Sequence, residues 1–205
     1  MTGSTVRRIV VSALAGLALV AGAAEAQQRV TLRALYGNVT SLSGTTSLAL
    51  PDVFAYDLAE KKQWYGLDLD LHVSPGLSLD LTASRGKIEE TLTVFPPQQS
   101  AVVLRHTGTL RHDTLSLLIH PVPGQWVDFY FGPSYGQAHY DRSLASSESE
   151  TAVGGKVGLD LHLGESGWLV GAQLTVLTSG LRIVDGEPKH NVRYSVLGAG
   201  VGYRF

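Results

Sequence analysis

Acidic and histidine side chains recur at every second position in two stretches, Asp68, Asp70 and His72 in the first and Asp160 with His162 in the second. These are residue types that bind divalent metals, and alternate residues of one strand point the same way. The same pattern suits a buried network in which the carboxylates, Asp80 and Asp128 included, pair with Arg33, Lys156, Arg204 and the histidines, because buried charge must be compensated. The network is the preferred reading, so no metal and no cofactor are expected. A second candidate is Gly132-Pro133-Ser134-Tyr135-Gly136, which fits G-x-S-x-G, the strand-to-helix turn that exposes a nucleophilic serine. No helical pattern follows it, which makes a chance match the reading. His139, Asp141 and Ser143 supply base, acid and hydroxyl nearby, but proximity in sequence does not establish hydrogen-bond reach. No catalytic residue is assigned.

The chain has 205 residues, 44% of them hydrophobic and 17% charged, enough for one β-domain. Cysteine is absent, which excludes disulfides, thiolate metal sites and cysteine nucleophiles. Sixteen Lys and Arg residues stand against eighteen Asp and Glu without clustering, so no nucleic-acid face is offered. Arg7 and Arg8, the apolar run from Ile9 to about Ala24, and Ala24-Glu25-Ala26 have the order of a cleavable secretory signal over residues 1–26. The remainder, 27–205, contains no apolar run near the ~20 residues of a membrane helix, so any span must be made of strands.

Strands are what the elements around the candidate residues predict. Tyr65, Leu67, Leu69, Leu71 and Val73 alternate with Gly66, Asp68, Asp70 and His72; after Ser74-Pro75-Gly76 the alternation resumes, with Leu77, Leu79, Leu81 and Ala83 against Ser78, Asp80, Thr82 and Ser84. Two similar hairpins surround Pro121-Val122-Pro123-Gly124 and Gly164-Glu165-Ser166-Gly167. A first strand with Val30, Leu32, Ala34 and Tyr36, and a last with Leu197, Ala199, Val201, Tyr203 and Phe205, bring the count to eight. Short turns on one side and long polar segments near 37–62, 85–108, 137–150 and 178–190 on the other describe an all-β, antiparallel up-and-down barrel. Arg111 and Asp113 share parity with Leu115, so they belong at the outer rim or beside a bulge near His112.

The face opposite the leucines and valines is too charged for an ordinary core. It suits the interior of a transmembrane barrel whose apolar face meets lipid. Leu118, Trp126 and Tyr130 are its apolar exceptions. Gly132, Gly158, Gly171, Gly198, Gly200 and Gly202 share it and leave room for the longer groups.

The ending Leu197-Gly198-Ala199-Gly200-Val201-Gly202-Tyr203-Arg204-Phe205 resembles the C-terminal strand of outer-membrane β-barrels, which closes on an aromatic residue after alternating apolar ones. The whole pattern is similar to small barrels of the OmpX, OmpA-barrel and OmpW kind. The resemblance implies a bacterial outer-membrane location among lipid and lipopolysaccharide, and recognition of Tyr203 and Phe205 by the barrel-assembly machinery. A monomer is expected. Eight strands leave an interior just filled by side chains, so the first functional expectation is a plugged barrel with a structural or surface-interaction role. A narrow or lateral-exit channel for small hydrophobic molecules is the OmpW-type alternative. A lipid A-modifying enzyme is the third.

Overall fold

The computed structural model describes residues 29–43, 46–48, 53–95, 100, 102–123, 126–141, 147–182 and 189–205; the expected signal segment lies outside them. Eight strands form the barrel: β1 (Val30–Ser43), β2 (Val53–Ser74), β3 (Leu77–Phe95), β4 (Val102–Ile119), β5 (Val127–Asp141), β6 (Glu148–His162), β7 (Trp168–Arg182) and β8 (Lys189–Arg204). Each pairs antiparallel with the next. β1 closes the cylinder by pairing with both β2 and β8. A three-residue strand, Thr46–Leu48, adds to the far end of β2.

Burial follows the period of two. Tyr65 and Leu67 are exposed while Trp64, Asp68, Asp70 and His72 are buried, and the same alternation runs through the parts of β3 to β8 that form the ring. The exposed positions form an apolar jacket that includes Leu32, Leu117, Ile119, Phe129, Phe131 and Val201. Exposed aromatics mark two levels of the outer face. Tyr36, opposite Tyr65, marks the upper one, and Trp126, Trp168 and Phe205 cluster at the turn end. Aromatic girdles at both lipid–water boundaries have this form.

Arg111 and Asp113 lie on the outer face, half-exposed and ion-paired at 3.0 Å. The β3–β4 register is continuous past His112, so no bulge is present there. Tyr65, Arg85, Arg111 and His139 stand in one cross-strand row, which sets the upper limit of the apolar jacket.

The segments expected as loops near 37–62 and 85–108 are largely strand. β2, β3 and β4 are 22, 19 and 18 residues long, against the ~9–11 that a tilted transmembrane strand requires. β1 and β2 part after Gly37↔Trp64, and the β4–β5 pairing among the described residues runs as far as Thr109↔Asp141. Beyond those points β2, β3 and β4 continue together as a sheet that projects from the ring. A register shift between Glu60 and Trp64, with Gln63 at φ 117°, marks the departure. β-branched residues such as Thr91, Thr93, Val102 and Val103 suit a strand, but this part of the chain lacks the clean apolar–polar alternation of the ring, which is why it reads as loop.

Candidate functional site

The lumen has a charged tier nearer the turns and an apolar tier above it. In the charged tier Arg33 of β1 sits opposite Asp68 of β2 in the sheet register, and its side chain crosses the interior. Its Nε and Nη2 donate to Asp160 Oδ2 of β6 at 3.0 and 2.6 Å, Nη2 also donates to Asp70 Oδ2 at 3.1 Å, and Nη1 reaches Asp68 Oδ1 at 3.5 Å. Lys156 of β6 crosses in the opposite direction. Its ammonium donates to Asp68 Oδ2 at 3.1 Å, to Thr82 Oγ1 at 2.6 Å and to Asp80, while Thr82 Oγ1 donates onward to Asp80 Oδ1 at 3.0 Å. Three partners satisfy the three protons of an ammonium. Arg33 is 2% exposed and Lys156 3%.

Glycine makes this arrangement possible. Gly158 lies under the ring of Tyr130 and Gly171 against the carboxylate of Asp160, so a Cβ at either position would displace the group above it. Tyr130, held by its hydroxyl to Gln173 Oε1 at 3.3 Å, places its ring 5.2 Å from the Arg33 guanidinium. That distance is within cation–π range.

A second group lies closer to the turns. Asp128 accepts from Arg204 Nη2 at 3.0 Å and is 2.8 Å from His120 Nδ1; Arg204 Nε donates to Thr31 Oγ1 at 3.2 Å. His72, 3.4 Å from Asp70, stands between the two groups. Of the residues singled out by sequence, His162 joins neither: it is half-buried, and its Nε2 makes no hydrogen bond. Tyr203 packs edge-on between Trp168 and Phe205, with ring centroids 5.3 and 4.9 Å away, and Phe205 is 70% exposed.

Sequence reasoning missed His120, although it continues the inward parity of Ser116 and Leu118 one step past the apolar run. It also missed the upper tier, where Leu35, Val39, Trp64, Leu110, Ala138, Tyr140, Ala152, Leu177, Val192, Tyr194 and Val196 pack in one cluster. Trp64, His112 and Tyr194 stack across it with centroids 5.9 and 5.8 Å apart. Trp126 is a correction in the opposite direction. It precedes the first residue of β5, escapes the strand's parity and is 68% exposed rather than luminal.

The serine motif does not form an elbow. Ser134 is mid-strand, buried, and bonded to Ser116 Oγ at 2.8 Å, with no base beside it among the described contacts. His139 contacts Ser149 on the outer face and Asp141 accepts from Ser147 at 3.1 Å; Ser143 lies outside the described residues.

The family model described as outer membrane protein beta-barrel domain matches residues 9–205. Among solved structures, OprG from Pseudomonas aeruginosa is similar over 87% of this chain and 96% of its own, with a TM-score of 0.60 and 15% identity. Neisserial surface protein A is similar over 87% and 97%, with a TM-score of 0.51 and 14% identity. At these identities the likeness concerns the fold alone. No curated protein matches the sequence.

Removing one member of the charged tier leaves the others buried and uncompensated. Lys156→Met is expected to destabilise the barrel by about 3–5 kcal/mol, read as a lowered urea midpoint in detergent micelles. Lys156→Met combined with Asp80→Asn is expected to cost less than the sum of the two single changes.

Proposed function

The chain belongs to the outer membrane protein beta-barrel domain family, and from that premise we propose that it is a plugged barrel that carries a surface-interaction sheet above the outer membrane. The observation that carries this reading is the projecting part of β2, β3 and β4. Among the described residues, β4 from Val102 to Gly108 pairs only with β3. Its free edge exposes Val102, Val103 and Leu104 at 46, 50 and 40%. An unpaired edge strand is a template for another chain, and proteins that do not use such an edge usually blunt it.

The lumen supports the plugged half of the reading. Arg33 and Lys156 cross it in opposite directions and occupy the space that a water-filled path would need. Short turns then face the periplasm and the projecting sheet faces outward, the usual orientation of such barrels. In this setting Tyr203 and Phe205 form the terminal aromatic signature offered to the assembly machinery, and the barrel works as a monomer in lipopolysaccharide. Ser134, tied to Ser116 and facing the lumen, supports a non-catalytic role.

A second reading has a specific observation of its own. The upper lumen is apolar, and the β4–β5 register passes from Ser116↔Ser134 directly to Ile119↔Phe131. Pro133 lies in that gap and lacks the N–H that would complete the ladder. By register, the gap sits where the charged tier meets the apolar one. β4 and β5 still lie close there, with Gly132 against the Leu117 carbonyl, so lateral release of a small hydrophobic molecule into the bilayer would require the two strands to part at this weakened ladder.

In planar bilayers the purified barrel is expected to give no stable ion conductance, and a steady ion-selective open state would overturn the plug. Cells displaying the chain should adhere to protein-coated surfaces better than cells without it. Val102→Lys with Leu104→Lys should remove that gain, and unchanged adhesion would count against the edge. If the lateral path operates, Pro133→Val should slow uptake of a hydrophobic fluorophore into whole cells; equal rates would eliminate that reading.

A further inference from the structure

At the turn end of the lumen, Asp70 and His72 of β2 meet His120, which directly follows β4. One ligand-type atom from each lies within 4.8 Å of the other two, and all three residues are buried. His72 Nε2 is 3.4 Å from Asp70 Oδ2. Asp70 Oδ1 and His72 Nε2 have no hydrogen-bond partner, although their residues are only 0 and 8% exposed. Buried polar atoms left in this state are costly, so two orphans beside a third potential ligand point to a guest.

His120 is already oriented as a ligand. Its Nδ1 is 2.8 Å from Asp128 Oδ1, and Arg204 holds Oδ2 of the same carboxylate at 3.0 Å. An ionised carboxylate only accepts, so the imidazole proton belongs on Nδ1. The Nε2 lone pair then points away from that carboxylate and accepts from Ser78 Oγ at 2.8 Å. A carboxylate behind the distal nitrogen is the support that fixes the tautomer of metal-ligating histidines and makes them more basic.

We propose that Asp70 Oδ1, His72 Nε2 and His120 Nε2 bind one divalent transition-metal ion of the zinc type at the periplasmic mouth of the barrel. Two ligands of a tetrahedral zinc stand about 3.3 Å apart; one ligand-type atom from each residue lies within 4.8 Å of the others, so modest side-chain shifts bring the three to that spacing. Ser78 yields its hydrogen bond to His120, and water completes the coordination. Asp70 Oδ2 remains with Arg33. The site stands apart from both readings of the barrel's role.

The test uses the full barrel in detergent, stripped with a chelator and titrated with Co²⁺, whose visible absorption reports tetrahedral coordination. One Co²⁺ per chain, displaced by Zn²⁺, is expected. His72→Gln and His120→Gln should lose the tetrahedral bands, with folding checked by heat-modifiable gel migration. Asp128→Asn, which leaves every ligand in place, should weaken binding about 10–100-fold, while Ser78→Ala should bind at least as tightly as the parent. If the two histidine variants fail to fold, the opposite shifts of Asp128→Asn and Ser78→Ala decide the matter. Absence of tetrahedral bands in the parent overturns the proposal, as does binding that ignores Asp128→Asn or persists in the folded histidine variants.

Discussion

Asp68 is shared by the two buried cations of the lumen, Arg33 at 3.5 Å and Lys156 at 3.1 Å, and the interior is built around that sharing. Eight strands enclose a space only as wide as facing side chains. Once charges enter it they have to pair across the cylinder, because an interior filled by side chains solvates them poorly. Arg33 therefore ties β1 to β6, and Lys156 ties β6 to β2 and β3, joining strands that are not neighbours in the sheet. Such pairs contribute little net stability over an apolar filling. They do specify an arrangement in which both Arg33 and Lys156 are satisfied in the middle of the lumen.

The wall obeys the opposite rule. Its exposed face is apolar because the surrounding medium is hydrocarbon, so leucines, valines and phenylalanines that would form the core of a soluble sandwich lie outside. Where Arg85, Arg111 and His139 appear on that face the hydrocarbon has to end. The strands do not end there. β2, β3 and β4 continue together, carrying backbone hydrogen bonds beyond that level, and among the described residues the β4 edge there pairs only with β3. The apolar upper lumen, stacked through Trp64, His112 and Tyr194, lies between this sheet and the charged tier. The molecule thus has three zones with different chemistry in a single continuous meander.

The alternation of Leu67, Leu69 and Leu71 with Asp68, Asp70 and His72 determined the strand, its two faces and, repeated with short turns, the eight-stranded antiparallel barrel. Period two is a local property of the backbone, so each strand declares its faces without reference to the others. For the same reason the inward parity of the charged residues was legible, along with the rim position of Arg111 and Asp113 as one of two readings. Partners were another matter. That Asp160, rather than the sequence-adjacent pair of Asp68 and Asp70, makes the shortest bond to Arg33 depends on which strands face one another across the lumen and at what height. Shear and closure of the cylinder set that height, and no single strand encodes them. The same holds for His120 arriving beside His72, for the apolar upper tier, and for the length by which β2, β3 and β4 outrun the ring, since each depends on contacts between strands far apart in the chain.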